Sequence, residues 1–182
     1  IGSGTLGCNI ARHLVMWGVN NITFVDRGQV SYSNPVRQTL FEFADCLKES
    51  KARIKSIVAA EAIKKILPTC NASGIDLAVP MPGHRIDEKD VSQTIENSKH
   101  LENLILNHDV IFLLTDSRES RWLPTLLCSV HEKPVINVAL GFDTFVVMRH
   151  GLKQQKEDRM GCYFCNDVVA PVDSLSGRTI DQ

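Results

Sequence analysis

The chain has 182 residues, 43% hydrophobic and 23% charged, with a formal charge of −1. Those values suit one soluble globular domain with a sizeable core, or one domain plus a tail, and give no electrostatic reason to expect nucleic acid or a membrane surface as partner. No apolar run approaches the roughly 18 residues of a membrane span, the first residues lack the basic start of a signal peptide, and six cysteines, mostly far apart, read as reduced thiols of a cytosolic protein.

The chain opens on IGSGTLG, with Gly2, Gly4 and Gly7 leading into an apolar-periodic segment. Leu6, Ile10, Leu14 and Val15 fit one face of a helix running to about Trp17, with Gly18 as its stop. Residues 22–25 read as a buried strand ending at Asp26, followed by a polar stretch to Asn34. Residues 51–67 form a strong helical pattern through Ile54, Ile57, Val58, Ala62 and Ile66, ended by Pro68. A third strand is expected at 75–79, a turn at PMPG, 80–83, and a polar helix at 91–107. DVIFLLTD, 109–116, is the clearest buried strand, and residues 118–130 are helical with Pro124 restricting or kinking them. Strands follow at 135–140 and 143–149, joined by a link too short for a parallel crossover, so they pair antiparallel or bend across the domain edge. Beyond His150 the chain is charged and turn-rich and carries one cysteine pair. The fold class is α/β: a doubly wound, Rossmann-like, mostly parallel sheet with a C-terminal antiparallel strand extension. A nucleotide-binding turn follows a strand, and only Ile1 of that strand is present, so the chain reads as a fragment of a longer polypeptide.

Strand, glycine turn, helix, strand and aspartate occur here in the order of a nucleotide-binding unit. Gly2 permits the tight turn, Gly4 the approach of a phosphate to the backbone, and Gly7 close packing of the helix. Amides at the helix N-terminus face the anion. Asp26, about 20 residues on, is placed to accept both ribose hydroxyls. The turn alone does not say which nucleotide. Asn34, Arg37 and Gln38 lie in the following loop and Lys51 at the start of the next helix. The added cations Arg37 and Lys51 (or Lys48, which is nearby) suit a triphosphate better than a dinucleotide, because charge builds up as pyrophosphate leaves. Their alternative is a solvated surface role.

Asp116 ends the strongest strand, where doubly wound folds bind ligands. It reads either as a Mg²⁺ carboxylate or, with Ser117, as a helix N-cap. Arg118 and Arg121 could add to the anion field or pair with Glu119 and neighbours, and read as structural. Cys162 and Cys165 in GCYFC form half of a structural zinc site or a pair of buried thiols. Cys8, Cys46, Cys70 and Cys128 read as buried small apolar side chains. The six histidines show no catalytic arrangement.

GSGTLG, ITFVD, SYSNPVRQ, PMPGH, FLLTDSRESRWLP, ALGFDTFVVMRHG and GCYFCNDVVAP resemble the C-terminal adenylation domain of the autophagy-related, ubiquitin-activating-type enzymes, within the wider ThiF/MoeB-like family. The likeness spans nearly the whole chain. It implies that residues 1–182 are a single ATP-binding adenylation domain fragment, without its first strand and the downstream catalytic-cysteine segment. It implies ATP-dependent adenylation of the C-terminal glycine of ubiquitin-like autophagy modifiers, thioester formation on an enzyme cysteine beyond Gln182, and transfer to conjugating enzymes, by a cytoplasmic homodimer. Within that pattern Asp26 holds the ribose, Asn34, Arg37, Gln38 and Lys51 line the phosphates, and Asp116 holds magnesium. The second half of the zinc knuckle would lie downstream. A NAD-dependent oxidoreductase and a non-catalytic nucleotide-binding scaffold are the competing readings. The first would need a hydride-transfer partner, and none is recognisable.

Overall fold

The computed structural model describes residues 1–46, 53–141, 143–151 and 161–167. The chain divides into two compact units, Ile1–Ala78 and Val79–Gln182. Lys48 and Lys51 lie outside the described residues.

The first unit contains α1 (Thr5–Met16), β1 (Asn21–Val25), a short 3-10 turn (Phe43–Cys46), α2 (Lys55–Ile66) and β2 (Asn71–Ile75). The two strands run parallel, with Asn21 opposite Asn71 and Val25 opposite Ile75. Both helices bury mostly small residues: Gly7, Cys8 and Ala11 on α1, and Ser56, Val58, Ala59 and Ala60, with the larger Ile63, on α2. The larger residues of the expected α1 stripe, Leu6, Ile10, Leu14 and Val15, flank that seam and are only partly buried. Small side chains let the backbones approach closely, and the core closes with Phe24, Val30, Leu40 and Phe41.

Two expected boundaries move here. The helix expected from residue 51 starts at Lys55, because Ile54 is extended and pairs antiparallel with Gln29. The strand expected at 75–79 lies instead at Asn71–Ile75. Asparagine, serine and glycine are poor strand formers, but this strand needs little bulk: a Cβ on Gly74 would fall 2.3 Å from the Ser56 carbonyl oxygen of α2. Close packing of α2 outweighs propensity.

The second unit contains a 3-10 turn (Glu88–Asp90), α3 (Val91–Leu106), β3 (Ile111–Leu113), α4 (Glu119–Val130), β4 (Val135–Leu140), β5 (Phe145–His150) and the single turn α5 (Tyr163–Asn166). Its sheet has the order β3-β4-β5, with β3 and β4 parallel and β4 and β5 antiparallel over six paired positions. The antiparallel pairing of the last two strands agrees with the short link between them. The strand expected over 109–116 keeps only Ile111–Leu113. The carbonyls of Leu113, its last residue, and of Thr115, beyond it, accept hydrogen bonds from Arg121. The helix α4 continues through Pro124, which is buried.

His150, at the end of β5, is 3% exposed, and neither ring nitrogen has a hydrogen-bond partner among the described residues. Burial lowers its pKa from the ordinary value. The imidazole is therefore held neutral in the folded chain, while the unfolded chain takes up a proton near pH 6.5. Between the depressed folded value and about 6.5 the unfolded state binds more protons, so stability rises with pH across that window. Denaturant midpoints measured from pH 7.5 down to 5.5 are expected to fall, and His150→Leu to flatten that part of the slope.

Candidate nucleotide site

Gly2 has a φ of 95°, a left-handed conformation that favours glycine, and its N–H donates to the Val25 carbonyl at 2.9 Å. Gly7 then lies on Gly2 itself: a Cβ there would stand 2.1 Å from the Gly2 carbonyl oxygen. Gly4 differs. It occupies the N-cap of α1 with a φ of −81°, and a Cβ there would meet no atom within 4 Å. The fold does not require glycine at this position, whereas a ligand seated on the amides of the first helical turn would. Gly7→Ala is accordingly expected to cost about 3 kcal/mol of stability. Gly4→Ala is expected to cost about 1 kcal/mol or less while weakening nucleotide binding about tenfold or more. Paired thermal melts and nucleotide titrations of the two variants check that contrast.

Asp26 follows β1 and is fixed by two backbone amides. Ser3 N–H donates to its Oδ2 and Gly28 N–H to its Oδ1, each at 2.7 Å. Each carboxylate oxygen keeps a lone pair for a further donor. Asn34 is buried at 4% exposure, and its Oδ1 accepts from Ser31 N–H at 2.9 Å. Its carbonyl accepts from the N–H groups of Arg37 (3.0 Å) and Gln38 (2.8 Å). Asn34 thus shapes the loop that displays Arg37. That guanidinium, exposed to solvent, donates Nη1–H to Thr5 Oγ1 at 2.5 Å, at the first residue of α1. The bond brings a cation from a loop 32 residues away in sequence to the N-terminus of the helix. Two buried polar atoms of this unit, Ser3 Oγ in the turn and Gln38 Oε1 in the loop, have no hydrogen-bond partner among the described residues.

Sequence reasoning misses Thr5 as the anchor of Arg37 and Lys55 as a further cation. The Lys55 stem lies under Gly28, 3.5 Å from where a Cβ on that glycine would stand. Its charge acts on Cys8, whose thiol burial nonetheless pushes up to about 11. Cys128 is likewise pushed up by burial to about 12, and burial raises Cys70. Cys8 and Cys128 are therefore protonated at neutral pH, unsuited to act as nucleophiles.

In the second unit, Asp116 stands after β3, outside the strand it was expected to end. The helix α4 begins at Glu119 with Arg118 at its N-cap, and the Arg118 side chain makes no capping hydrogen bond. Ser117 Oγ instead bonds Ser120 Oγ at 2.9 Å. Asp116 therefore lies two residues outside the capping position. Arg121 is structural: only 3% exposed, it donates to the carbonyls of Leu113 (3.3 Å), Val138 (2.9 Å) and Thr115, and to Asn137 Oδ1. Burial lowers its pKa, opposed by Tyr163 and Asp116. Arg118 is structural too, and its partner is Asp167. The other Asp167 oxygen accepts from Trp122 Nε1–H at 2.6 Å. Asp167 so ties α5, which begins right after Cys162 and contains Cys165, to α4. The two Sγ atoms are 3.9 Å apart, close to the roughly 3.8 Å edge of a tetrahedron with 2.3 Å zinc–sulfur bonds. No group of three or more His, Cys, Asp or Glu side chains able to hold a metal occurs among the described residues.

Residues 1–179 match the ThiF family. The chain belongs to the ThiF family. This ThiF chain is 55% identical over 197 residues to the ubiquitin-like modifier-activating enzyme atg7 of Dictyostelium discoideum. It is 57% identical over 183 residues to ATG7 of Candida albicans, and 49% over 212 residues to human ATG7. Each alignment covers 100% of this chain but only 28%, 28% and 30% of the respective relative, so the chain spans less than a third of their length. Among solved structures, Escherichia coli MccB superposes with a TM-score of 0.64 over 93% of this chain and 40% of MccB, at 22% identity. A complex of MccB with AMPCPP and MccA gives 0.62, covering 93% of this chain and 43% of that one, at 20% identity. At those identities the likeness is one of fold: an α/β ThiF domain with parallel strands.

Proposed function

We propose that this ThiF chain is the ATP-binding part of an enzyme that adenylates the C-terminal carboxylate of ubiquitin-like autophagy modifiers. The observation that carries the reading is the Arg37–Thr5 hydrogen bond, which sets a cation beside the open space at Gly4 and the first amides of α1. A dinucleotide's pyrophosphate is largely satisfied by a helix N-terminus, whereas an added guanidinium fork suits a longer, more charged phosphate chain. The names of the relatives agree with this reading.

The chemistry is one anion attacking another. An oxygen of the modifier carboxylate forms a bond to the α-phosphorus of ATP, the bond from that phosphorus to the bridging oxygen breaks, and pyrophosphate leaves with both electrons. The carboxylate is ionised at neutral pH, so no general base is required. Asp26 would receive the ribose hydroxyls, and the α1 amides and Arg37 the phosphates, with Lys51 assigned to the same role. Asn34 holds the loop in shape, and Gln38, buried in the same loop, is assigned with it to the phosphate lining. Asp116 is the proposed magnesium carboxylate; one protein carboxylate completed by phosphate oxygens and water is an ordinary Mg²⁺ donor set. Magnesium bound there would supply neutralisation of phosphate charge. Cys162 and Cys165 would give two of four thiolates to a structural zinc.

Thioester formation on a cysteine outside these 182 residues, transfer to conjugating enzymes, homodimerisation and a cytoplasmic location belong to the same proposal. Exchange of label between pyrophosphate and ATP, measured with the complete protein, tests it. Exchange that requires the modifier's C-terminal glycine is expected. Its absence, together with tight binding of NAD, would replace this reading with that of an oxidoreductase.

A further inference from the structure

Asp26 is held by more than its own strand. The first turn of α2 and the residues before it are laced to the segment that follows Asp26. Ser56, fully buried, donates Oγ–H to the Asp26 carbonyl at 2.9 Å. Lys55 N–H donates to the Gly28 carbonyl, and Val30 N–H to the Arg53 carbonyl, both at 2.8 Å. Between them Gln29 and Ile54 form an antiparallel bridge. Gly28, gripped in this way through its carbonyl, donates its own N–H to Asp26 Oδ1. The direction of one carboxylate oxygen therefore depends on where residues 53–56 sit.

Arg53 fixes those residues. Its guanidinium donates Nη1–H to Asp45 Oδ1 at 2.9 Å and Nη2–H to Glu61 Oε2 at 2.5 Å. The second Asp45 oxygen accepts from Glu42 N–H at 2.8 Å, so the carboxylate is itself anchored in the 3-10 turn. The hydrogen bond to Glu61 leads in raising the guanidinium above its ordinary pKa, and Asp45 adds to it against the effect of burial. With the Arg53 side chain at 20% and that of Asp45 at 13% exposure, the Asp45 arm is the held one, while Glu61, at 48%, meets the guanidinium from the solvent side.

We infer that Arg53 is a positioning residue for ribose recognition: clamped between Asp45 and Glu61, it holds the start of α2 so that the Gly28 amide aims the Asp26 carboxylate at the nucleotide sugar. Arg53 itself touches no nucleotide. The inference rests on the proposed reading of Asp26 as the ribose carboxylate and extends it to a residue of the first unit that no phosphate or sugar contact would reveal.

The test compares the affinities of the complete protein for ATP and for 2′,3′-dideoxy-ATP, with Asp26→Asn as reference. Arg53→Met is expected to lower the ratio of the two affinities by about threefold or more, the scale of coupling between groups in one hydrogen-bond network, while dideoxy-ATP binding stays at the parent value. A merely structural role would weaken both ligands equally and leave the ratio in place; that result overturns the inference, as does a ratio unchanged with both affinities intact. Should Arg53→Met fail to fold, Glu61→Gln, which keeps the shape and removes one charge, is measured on the same ratio: a fall supports the clamp and an unchanged ratio overturns it. If Asp26→Asn itself leaves the ratio unchanged, the ribose reading of Asp26 has failed and the inference falls with it. If only the Arg53 and Glu61 variants leave it unchanged, the ribose reading stands and the clamp alone is wrong.

Discussion

Asp116→Ala is expected to abolish modifier-dependent exchange between pyrophosphate and ATP, and Arg37→Ala to slow it by about 10²–10³-fold. The two losses have different origins. Arg37 is assigned to the proposed nucleotide cradle, where its hydrogen bond to Thr5 places a guanidinium at the helix N-terminus. Its loss removes one preorganised donor at the point where charge develops on the leaving pyrophosphate. Arg37→Lys keeps the charge and loses the fork, so an intermediate rate is expected. Asp116 is assigned the metal, and no metal-holding group of other carboxylates, histidines or thiolates occurs among the described residues to substitute for it. Neither side chain is buried, so neither substitution should unsettle the fold, and unchanged thermal melts would show that chemistry and not folding has been lost. Initial exchange rates at saturating ATP decide the matter. Full exchange by Asp116→Ala would remove that residue from the mechanism.

The largest effect on stability is expected at Arg121. Its guanidinium serves three carbonyls, those of Leu113, Thr115 and Val138, together with Asn137 Oδ1, at a site with 3% exposure. Arg121→Met fills much of the volume but leaves those acceptors unsatisfied where water does not reach them. The cost is about 4 kcal/mol or more, a large share of the roughly 5–15 kcal/mol available to an ordinary domain. A sharp drop in soluble yield and denaturant midpoint is expected, with Arg121→Lys in between because an ammonium cannot span the same acceptors. A midpoint within error of the parent would show that the network contributes little.

What can be read from the amino acids alone follows from these particulars. The helices at Thr5–Met16, Val91–Leu106 and Glu119–Val130, and the strands Val135–Leu140 and Phe145–His150, are legible from residue pattern, stop residues and link length, although α1 buries its small residues rather than the expected stripe and α4 runs on through Pro124. The strand Asn71–Ile75 is not, because its residues suit loops and are recruited by the close approach of α2 at Gly74. Nor is the start of α2, since only the tertiary bridge between Ile54 and Gln29 keeps residue 54 extended.

The candidate site divides in the same manner. Gly2, Gly7 and Asp26 carry a local spacing; the structure gives the two glycines a local reason, while Asp26 is fixed by Ser3 and Gly28 amides. Asn34, Arg37 and Gln38 stand out by their pattern, but the organising role of Asn34 and the Thr5 anchor of Arg37 depend on contacts that spacing does not encode. Arg118 and Arg121 read as structural from the sequence, yet their partners Asp167 and Asn137 lie 49 and 16 residues away. Asp167 is in view within GCYFCND, two residues beyond the second cysteine, though nothing local marks it as the tie between α5 and α4.

The most direct test of this account is the structure of the complete protein with a non-hydrolysable ATP analogue and magnesium. The account predicts the triphosphate against the first amides of α1 with Arg37 turned onto its oxygens, and the ribose hydroxyls within hydrogen-bond reach of Asp26. A triphosphate bound away from Arg37, or a nicotinamide dinucleotide taking the Gly4 space in preference to the ATP analogue, would contradict it.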